Sequence, residues 1–321
     1  MQATSKKNRG WSYLVLSLLA VVIVCGLVIY ASKEDSSATV AKADVRKAIA
    51  FTGGTFEASG VTHVPGTNGI LFVDDGKPDE VLWMQLDKDG KQTGPIKSVK
   101  LGVDIEDPEG ITTDGTYVYV VGSQARKKGT EQAGIARFEF NKETQSVGQI
   151  QTVSELKRFL IENVAELRDL ASVKAKDDGL NIEGLAWDHT QGQLLLGLRS
   201  PVVDGNALLV PLRLRDPRGP FSYDNLEVKE AIRLPLGGFG IRSVEYDPQQ
   251  KVFYIIAGAT ETQGKGDSQL WEWGGPADTS RLSKITTFDS KLKPEGIAPA
   301  SIGDSNFKLV VFDSSRYLRM D

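Results

Sequence analysis

The sequence predicts an all-β protein folded as a single β-propeller, and three observations support this prediction. A short pattern recurs five times, with a polar residue, a glycine or serine and apolar residues at its start and two further apolar runs behind it. The runs are rich in Val, Ile and aromatic residues and are separated by Gly, Asp and Asn, as short antiparallel strands are. The copies begin about 50–75 residues apart, a period typical of propeller blades.

The third copy shows the pattern most clearly. It opens at residues 180–188 and continues with runs at 193–199 and 207–212. The residues that open the five copies are Ser59, Glu109, Glu183, Arg242 and Glu295.

The two ends of the repeat region are predicted to share one blade. The fifth copy stops after three strands, and residues 45–51 form a strand-like run at the other end, so we expect this run to complete the last blade and remove an open edge. Five copies predict five blades. A sixth blade stays open if residues 148–176 contain a degenerate copy.

One segment, at about 154–172, departs from the strand pattern and predicts an inserted helix. Its apolar residues repeat at intervals of three and four, and Ser154 is a suitable N-cap. We expect this helix to cover one face or edge of the ring.

The N-terminal region predicts a membrane anchor. Residues 1–10 form a basic tail, residues 11–32 are almost wholly apolar and long enough to span a bilayer, and residues 33–44 form a linker to the propeller at 45–321. The positive charge before the span predicts a cytoplasmic N-terminus and a periplasmic or extracellular propeller on a bacterial inner membrane. A cleaved signal peptide is the alternative, but Ile29 or Tyr30 would then occupy a position that requires a small residue.

Composition excludes several classes of function. The chain has a net charge of -4, which argues against nucleic acid and anionic lipid as partners. Cys25 is the only cysteine, so no disulfide can form within the chain. The two histidines, His63 and His189, exclude any site built from several histidines, and their positions in a strand and in a turn disfavour a Ser–His–Asp triad.

The motifs resemble those of one known family. Residues 107–111 with 121–123 and 126–127, and residues 181–185 with 197–201 and 207–210, resemble a bacterial propeller family catalogued as domain-of-unknown-function family 3616. The resemblance covers residues 50–321 and implies the fold without an activity. More distantly, the pattern is similar to phytase-like esterase and gluconolactonase-type propellers, some of which hold a divalent cation in the channel. Ser59 and Arg242 depart from the glutamate that opens the other copies.

The opening residues are expected to meet at one mouth of the channel, because the first strand of a propeller blade lines the central channel. Arg199 and Ser123 follow second strands and can join a wider site, whereas the adjacent acids Asp74 and Asp75 are expected to be solvated. The candidate ligand-binding residues are Glu57, Glu109, Glu183, Arg199, Arg242 and Glu295.

Three interpretations of this cluster stay open. Glu109, Glu183 and Glu295 can hold Ca²⁺ or Mg²⁺ and support metal-assisted hydrolysis of a phosphoester, ester or lactone. The arginines can instead neutralise the glutamates in a structural ion-pair network. The third interpretation, which we favour as a function, is a binding module for a small ligand or an envelope protein. Direct Glu–Arg pairing would favour binding over hydrolysis.

Overall fold

The strands of the computed structural model lie in five antiparallel sheets, which are the five blades of a β-propeller. The structure describes residues 42–125 and 133–321. The predicted tail, the predicted anchor and the linker as far as residue 41 lie outside the described residues. Within the described ranges, no helix is long and apolar enough to cross a membrane.

Each blade takes its strands from one stretch of chain, apart from the last blade, which also receives β1 (Ile49–Ala50). Blade 1 contains β2 (Ala58–His63), β3 (Gly69–Asp74), β4 (Glu80–Gln85) and β5 (Lys97–Lys100). Blade 2 contains β6 (Pro108–Thr113), β7 (Tyr117–Gly122), β8 (Ala133–Asn141) and β9 (Ser146–Ser154). Blade 3 contains β10 (Asn181–Asp188), β11 (Gln193–Val203), β12 (Asn206–Leu214), β13 (Leu226–Val228) and β14 (Ile232–Leu234). Blade 4 contains β15 (Gly240–Asp247), β16 (Val252–Gly258), β17 (Gln269–Trp273) and β18 (Leu282–Thr287). Blade 5 contains β19 (Pro294–Ile302), β20 (Ser305–Phe312) and β21 (Arg316–Met320).

The fifth blade joins the two ends of the domain, as predicted. Strand β1 pairs antiparallel with β21, with Ile49 opposite Tyr317, and the strand order of the sheet is β1-β21-β20-β19. Just before β1, Lys42 pairs with Thr287 on the outer strand of blade 4 and forms ion pairs with Asp267 and Asp289. The entering chain therefore covers a strand edge that would otherwise be open.

The core is divided into five apolar clusters, and each cluster lies between two neighbouring blades. Trp83 of blade 1 packs on Phe140 of blade 2, and Tyr119 of blade 2 stacks on Trp187 of blade 3. Both faces of an inner sheet are covered, so every residue of β3 and β16 is buried. Continuous apolar runs in the sequence, without strict alternation, follow from this two-sided burial.

The innermost strands approach each other closely around the ring, and a glycine after the opening residue makes this approach possible. A Cβ atom on Gly60 would overlap backbone of Glu109 in blade 2, and one on Gly296 would overlap the carbonyl oxygen of Ser59 in blade 1. In blade 4 the equivalent residue is Ser243, whose Oγ accepts a hydrogen bond from the backbone N–H of Ile297 at 3.2 Å. Because a glycine allows backbones to touch, this position closes the ring from blade to blade.

The predicted helix is present but shorter than expected. Helix α1 spans Leu156–Asn163, and a 3₁₀ helix at Ala165–Leu170 follows it after an extended residue, Val164. The prediction of Ser154 as the N-cap is wrong, because Ser154 is the last residue of β9 and pairs with Ala133. Glu155, in a left-handed conformation with φ 56°, occupies the cap position and makes no side-chain cap hydrogen bond.

The insertion packs against the edge of the ring between blades 2 and 3. The buried side chains that join the apolar cluster there are Leu156, Leu160, Val164 and Leu167. Phe159 also packs on Tyr223, with ring centroids 4.5 Å apart. Residues 146–154 already form the outer strand of blade 2, so this region contains no sixth blade.

Candidate functional site

A β-bulge changes the direction of one side chain in each blade. In every first strand one extra residue interrupts the pairing with the second strand, between Ala58 and Val61 in blade 1 and at the equivalent place in the others. The residues at the bulges are the five that open the sequence copies, namely Ser59, Glu109, Glu183, Arg242 and Glu295. Bulges change the direction of a side chain and concentrate near functional sites. Here they bring residues from five blades together.

The five bulge residues line one cavity of about 1060 Å³, which we call the mouth. Arg199 and Glu57 line it as well, so the structure brings all six candidate ligand-binding residues together. Whether they bind a ligand stays a prediction. The further charged residues that line the mouth are Asp75, Glu261, Lys265, Lys291, Lys293 and Asp313.

Ion pairs of alternating charge cross blades 3, 4 and 5. Arg199 Nη1 lies 2.9 Å from Glu261 Oε1 and 2.8 Å from Glu183 Oε1. Arg242 Nη1 lies 3.6 Å from Glu183 Oε2 and also pairs with Glu295 Oε2. We call this sequence of five residues, from Glu261 to Glu295, the ion-pair chain. It contains three acids and two guanidinium groups.

Burial makes these ion pairs interdependent. Glu183 is 5% exposed, and the side chain of Arg242 is 15% exposed. Burial alone would lower the pKa of Arg242, but Glu295 and Glu183 raise it above its usual value. Burial raises the pKa of Glu295 to about 7, an effect that Arg242 partly offsets and that Glu183 increases. Arg242 therefore stays charged, while Glu295 can take up a proton near neutral pH.

The opposite side of the mouth, on blades 1 and 2, is acidic. Burial raises the pKa of Glu109 well above its usual value, and the charges of Glu183, Glu295, Asp107 and Asp75 raise it further. Within the described residues, Glu109 forms no ion pair with a cationic side chain.

Asp75 and Glu57 belong to the same acidic side. Burial and the neighbouring Glu57 carboxylate raise the pKa of Asp75 to about 6, and Asp75 Oδ1 is buried without a hydrogen-bond partner. Asp74 differs, because it is buried and accepts hydrogen bonds from the backbone N–H groups of Glu57 and Gly76 at 3.2 and 3.0 Å. The expectation that both aspartates are solvated is wrong, since Asp74 is buried and the Asp75 backbone N–H donates a hydrogen bond to the Glu57 carbonyl oxygen at 3.4 Å. We call Glu57, Asp75 and Glu109 the acidic wall.

Other residues considered from the sequence lie outside the mouth. Ser123 is buried, donates a hydrogen bond to Asp107 Oδ2 at 2.6 Å and does not line the mouth. His63 lies in β2, with Nε2 3.0 Å from the Thr67 carbonyl oxygen. His189 packs on the Tyr246 ring. Neither histidine lines the mouth.

A buried carboxyl group that the sequence did not reveal lies outside the mouth and links first strands of two blades. Glu245 is 7% exposed, and its Oε1 accepts hydrogen bonds from Thr112 Oγ1 and the Tyr246 backbone N–H, both at 3.0 Å. Its Oε2 is buried and has no hydrogen-bond partner. Because Thr112 lies on the first strand of blade 2 and Glu245 on that of blade 4, this side chain links two blades that are not neighbours in the ring.

Burial raises the pKa of Glu245 to about 8, although hydrogen bonds from Tyr246, Thr112 and Thr62 act in the opposite direction. A sequence signal for this residue existed. Glu245 lies three residues after the opening residue of its copy, where the other four copies carry Thr62, Thr112, Ala186 and Ala298. The small residues leave the space that the glutamate fills.

The arrangement in the mouth fits a three-glutamate metal site poorly. Glu183 and Glu295 direct carboxylate oxygens at guanidinium groups, which compete with a divalent cation for them. Among the residues that the structure describes, no three His, Cys, Asp or Glu side chains are grouped as metal ligands. The assignment of Glu109, Glu183 and Glu295 to Ca²⁺ or Mg²⁺ stays a prediction.

Fold and site together define a five-bladed β-propeller with a charged mouth at the axis. A family model described as "Protein of unknown function (DUF3616)" matches residues 129–321, more than half of the chain. The chain belongs to this family, as the sequence motifs indicated. The more distant resemblance to phytase-like esterase and gluconolactonase-type propellers stays a prediction.

Two solved structures match the chain at low similarity. A chain of Kuenenia stuttgartiensis hydrazine synthase is 12% identical with a TM-score of 0.40, and the match covers 79% of this chain and 61% of that one. A glucose dehydrogenase is 10% identical with a TM-score of 0.44, and the match covers 85% of this chain and 99% of that one. No curated protein matches the sequence.

Proposed function

We propose that the protein is a binding module whose mouth takes up a charged small ligand or the charged tail of an envelope protein. The observation that carries this proposal is the cavity of about 1060 Å³ at the bulge residues of all five blades. Its volume is slightly above the range of about 300–1,000 Å³ that is common for ligand sites. Charged groups inside it give orientation and specificity to what binds.

The charge distribution favours binding over a purely structural network. A network that served stability alone would neutralise its own charges, as the arginines do for Glu183 and Glu295. The acidic wall has no such arginine within the described residues. A divalent-cation-assisted hydrolase is the alternative function, and the Glu–Arg pairing makes it the less favoured one. A calcium-dependent rise in the melting temperature would support it.

Blocking the mouth tests the binding proposal. Ser290 lies exposed at the rim, so Ser290→Trp should fill the entrance without touching the bulge residues. The matched control is Gln191→Trp, in a second cavity of about 410 Å³ at the far end of the β10–β11 hairpin. In a thermal-shift screen of cationic, anionic and neutral compounds on the full chain, we expect hits that Ser290→Trp abolishes and Gln191→Trp retains. A screen in which no compound distinguishes the two variants would contradict the proposal.

We further propose that residues 11–32 anchor the chain in a bacterial inner membrane and that the propeller lies outside the cytoplasm. The support is the apolar span with basic residues before it and acidic residues after it. A pair of reporters fused after Asp321 tests this orientation. An alkaline phosphatase fusion should show enzyme activity. A green fluorescent protein fusion exported by the same route should not fluoresce. The reverse pattern would refute the orientation.

A further inference from the structure

We propose that the mouth binds an organic cation, through an ammonium or guanidinium group held against the acidic wall. This inference rests on the proposed binding function and adds to it the chemical class of the ligand. It extends the pattern of charges that the protein's own arginines form on the other side of the ring.

The ion-pair chain shows how the ring accommodates a cation. Arg242 extends from the bulge of blade 4 and pairs with glutamates from the bulges of both neighbouring blades, Glu183 and Glu295. Two blades further round, the bulge of blade 1 lies between Glu295 of blade 5 and Glu109 of blade 2. The residue there is Ser59, a short side chain without charge. In blade 4 the protein itself therefore supplies a cation between two bulge glutamates. In blade 1 it supplies none.

Most of the charges that act on this place are negative. Glu183, Glu295, Asp107 and Asp75 raise the pKa of Glu109, while the Arg242 guanidinium group, which also interacts with Glu109, acts in the opposite direction. The Glu57 carboxylate beside Asp75 likewise raises the pKa of Asp75. Clustered carboxylates of this kind require protons or a bound cation, since like charges at short range cannot all ionise without compensation.

Buried acceptor atoms provide a second observation, independent of the charge count. Glu183 lines the mouth and is 95% buried, since only 5% of its side chain is exposed, yet its Oε2 accepts no hydrogen bond. The nearest cationic atom to that oxygen is Arg242 Nη1 at 3.6 Å, beyond hydrogen-bond distance. Asp75 Oδ1 is also buried without a partner and belongs to the same lining. Buried acceptors usually have donors, so these oxygens indicate where the N–H groups of a ligand would bind.

Two features favour an organic cation over a metal ion. The mouth, at about 1060 Å³, leaves room for the body of a ligand above the acidic wall. An ammonium or guanidinium group needs only acceptors in the directions of its N–H bonds, whereas Ca²⁺ needs six to eight oxygen ligands around one point. The described residues present acceptors spread over several blades and no group of three metal ligands.

The test compares three probes that share one ring and differ in charge, namely benzylammonium, benzyl alcohol and benzoate, with Ca²⁺ as a fourth. Each is titrated into the full chain at constant ionic strength, and binding is followed by calorimetry. We expect saturable binding of benzylammonium alone. Glu109→Gln should weaken it at least about tenfold, because the exchange removes one charge-assisted contact. The matched control Glu272→Gln removes a carboxylate outside the mouth and should leave binding unchanged.

A second variant supplies the missing cation from the chain itself. Ser59→Arg places a guanidinium group at the bulge of blade 1, in the position that Arg242 occupies in blade 4. We expect this variant to lose benzylammonium binding and to melt at a higher temperature than the wild type. If the larger side chain prevents folding, Glu109→Gln still decides the question.

The possible failures are distinguishable. Binding of benzoate in place of benzylammonium would overturn the inference and leave the binding module intact. Displacement of benzylammonium by Ca²⁺ at comparable concentrations would overturn it in favour of a metal site. If no probe binds and the mouth-blocking variant also changes nothing in the wider screen, both the inference and the proposed function fail.

Discussion

Arg242→Met is expected to lower the free energy of unfolding by about 3–5 kcal/mol, the usual effect of removing one partner from a buried ion pair. The side chain of Arg242 is 15% exposed and pairs with Glu183 and Glu295, which are 5% and 13% exposed. Methionine fills much of the same volume, so the loss arises mainly from Glu295, which is left without a guanidinium group, and from Glu183, which keeps only Arg199. Urea denaturation of the full chain at neutral pH measures the change.

The control for this experiment is an exposed pair of the same type. Arg281 Nη2 lies 2.7 Å from Glu272 Oε1, with the arginine side chain 54% exposed, and Arg281→Met should cost about 1 kcal/mol or less. The effect of Arg242→Met should also diminish towards acidic pH, because protonation of Glu295, whose pKa is about 7 in the wild type, removes one of the orphaned charges. If Arg242→Met and Arg281→Met lowered the free energy of unfolding equally, the buried ion pairs would contribute no more to stability than surface ion pairs do.

Glu245→Gln is expected to stabilise the protein above about pH 8 by as much as ~5 kcal/mol and to have little effect below about pH 4.5. The reason is the burial of this carboxyl group, whose pKa rises from 4.5 to about 8 on folding. At low pH it is protonated in the folded and unfolded states alike. As pH rises between these two values, the unfolded state releases the proton and the folded state keeps it, so the free energy of unfolding falls.

Glutamine is a neutral substitute of nearly the same shape and does not titrate. The difference between Glu245→Gln and wild type should therefore grow with pH and level off once Glu245 is ionised in both states. The urea midpoints of the two proteins are compared at about pH 5 and about pH 8.5. This comparison isolates the contribution of Glu245, because the other carboxyl groups with a raised pKa are common to both proteins. Glu139→Gln, at an exposed position of β8, is the control. A constant difference across this range would mean that Glu245 is ionised in the folded protein at neutral pH.

The fold was predictable because blades repeat a local pattern. The copy openings at Glu109, Glu183 and Glu295 appear in the sequence as Glu-Gly-apolar, and the structure places each one at a bulge with its glycine against the next blade. Departures from the pattern were informative as well. Ser243 replaces the glycine in blade 4 and makes a cross-blade hydrogen bond to Ile297.

Other features depended on contacts between residues far apart in sequence. The helix start at Glu155 was missed because β9 continues to Ser154, and this strand length is fixed by pairing with β8. The raised pKa of Asp75 depends on Glu57, which lies beside it because β2 pairs with β3 through Ala58 and Asp74. Glu261 lies in the loop between β16 and β17, where the repeat pattern gives no guidance, and only the structure shows that it pairs with Arg199.

The most direct test of the account is a double-mutant cycle on the mouth, because its central claim is that bulges bring charges from separate blades into buried contact. The cycle combines Arg242→Met with Glu295→Gln, and a parallel cycle combines Arg281→Met with Glu272→Gln. We predict a coupling energy of roughly 2 kcal/mol or more for the first pair and about 0.5 kcal/mol or less for the second. Additive effects at Arg242 and Glu295 would contradict the account, since they would show that the two blades do not meet through this pair.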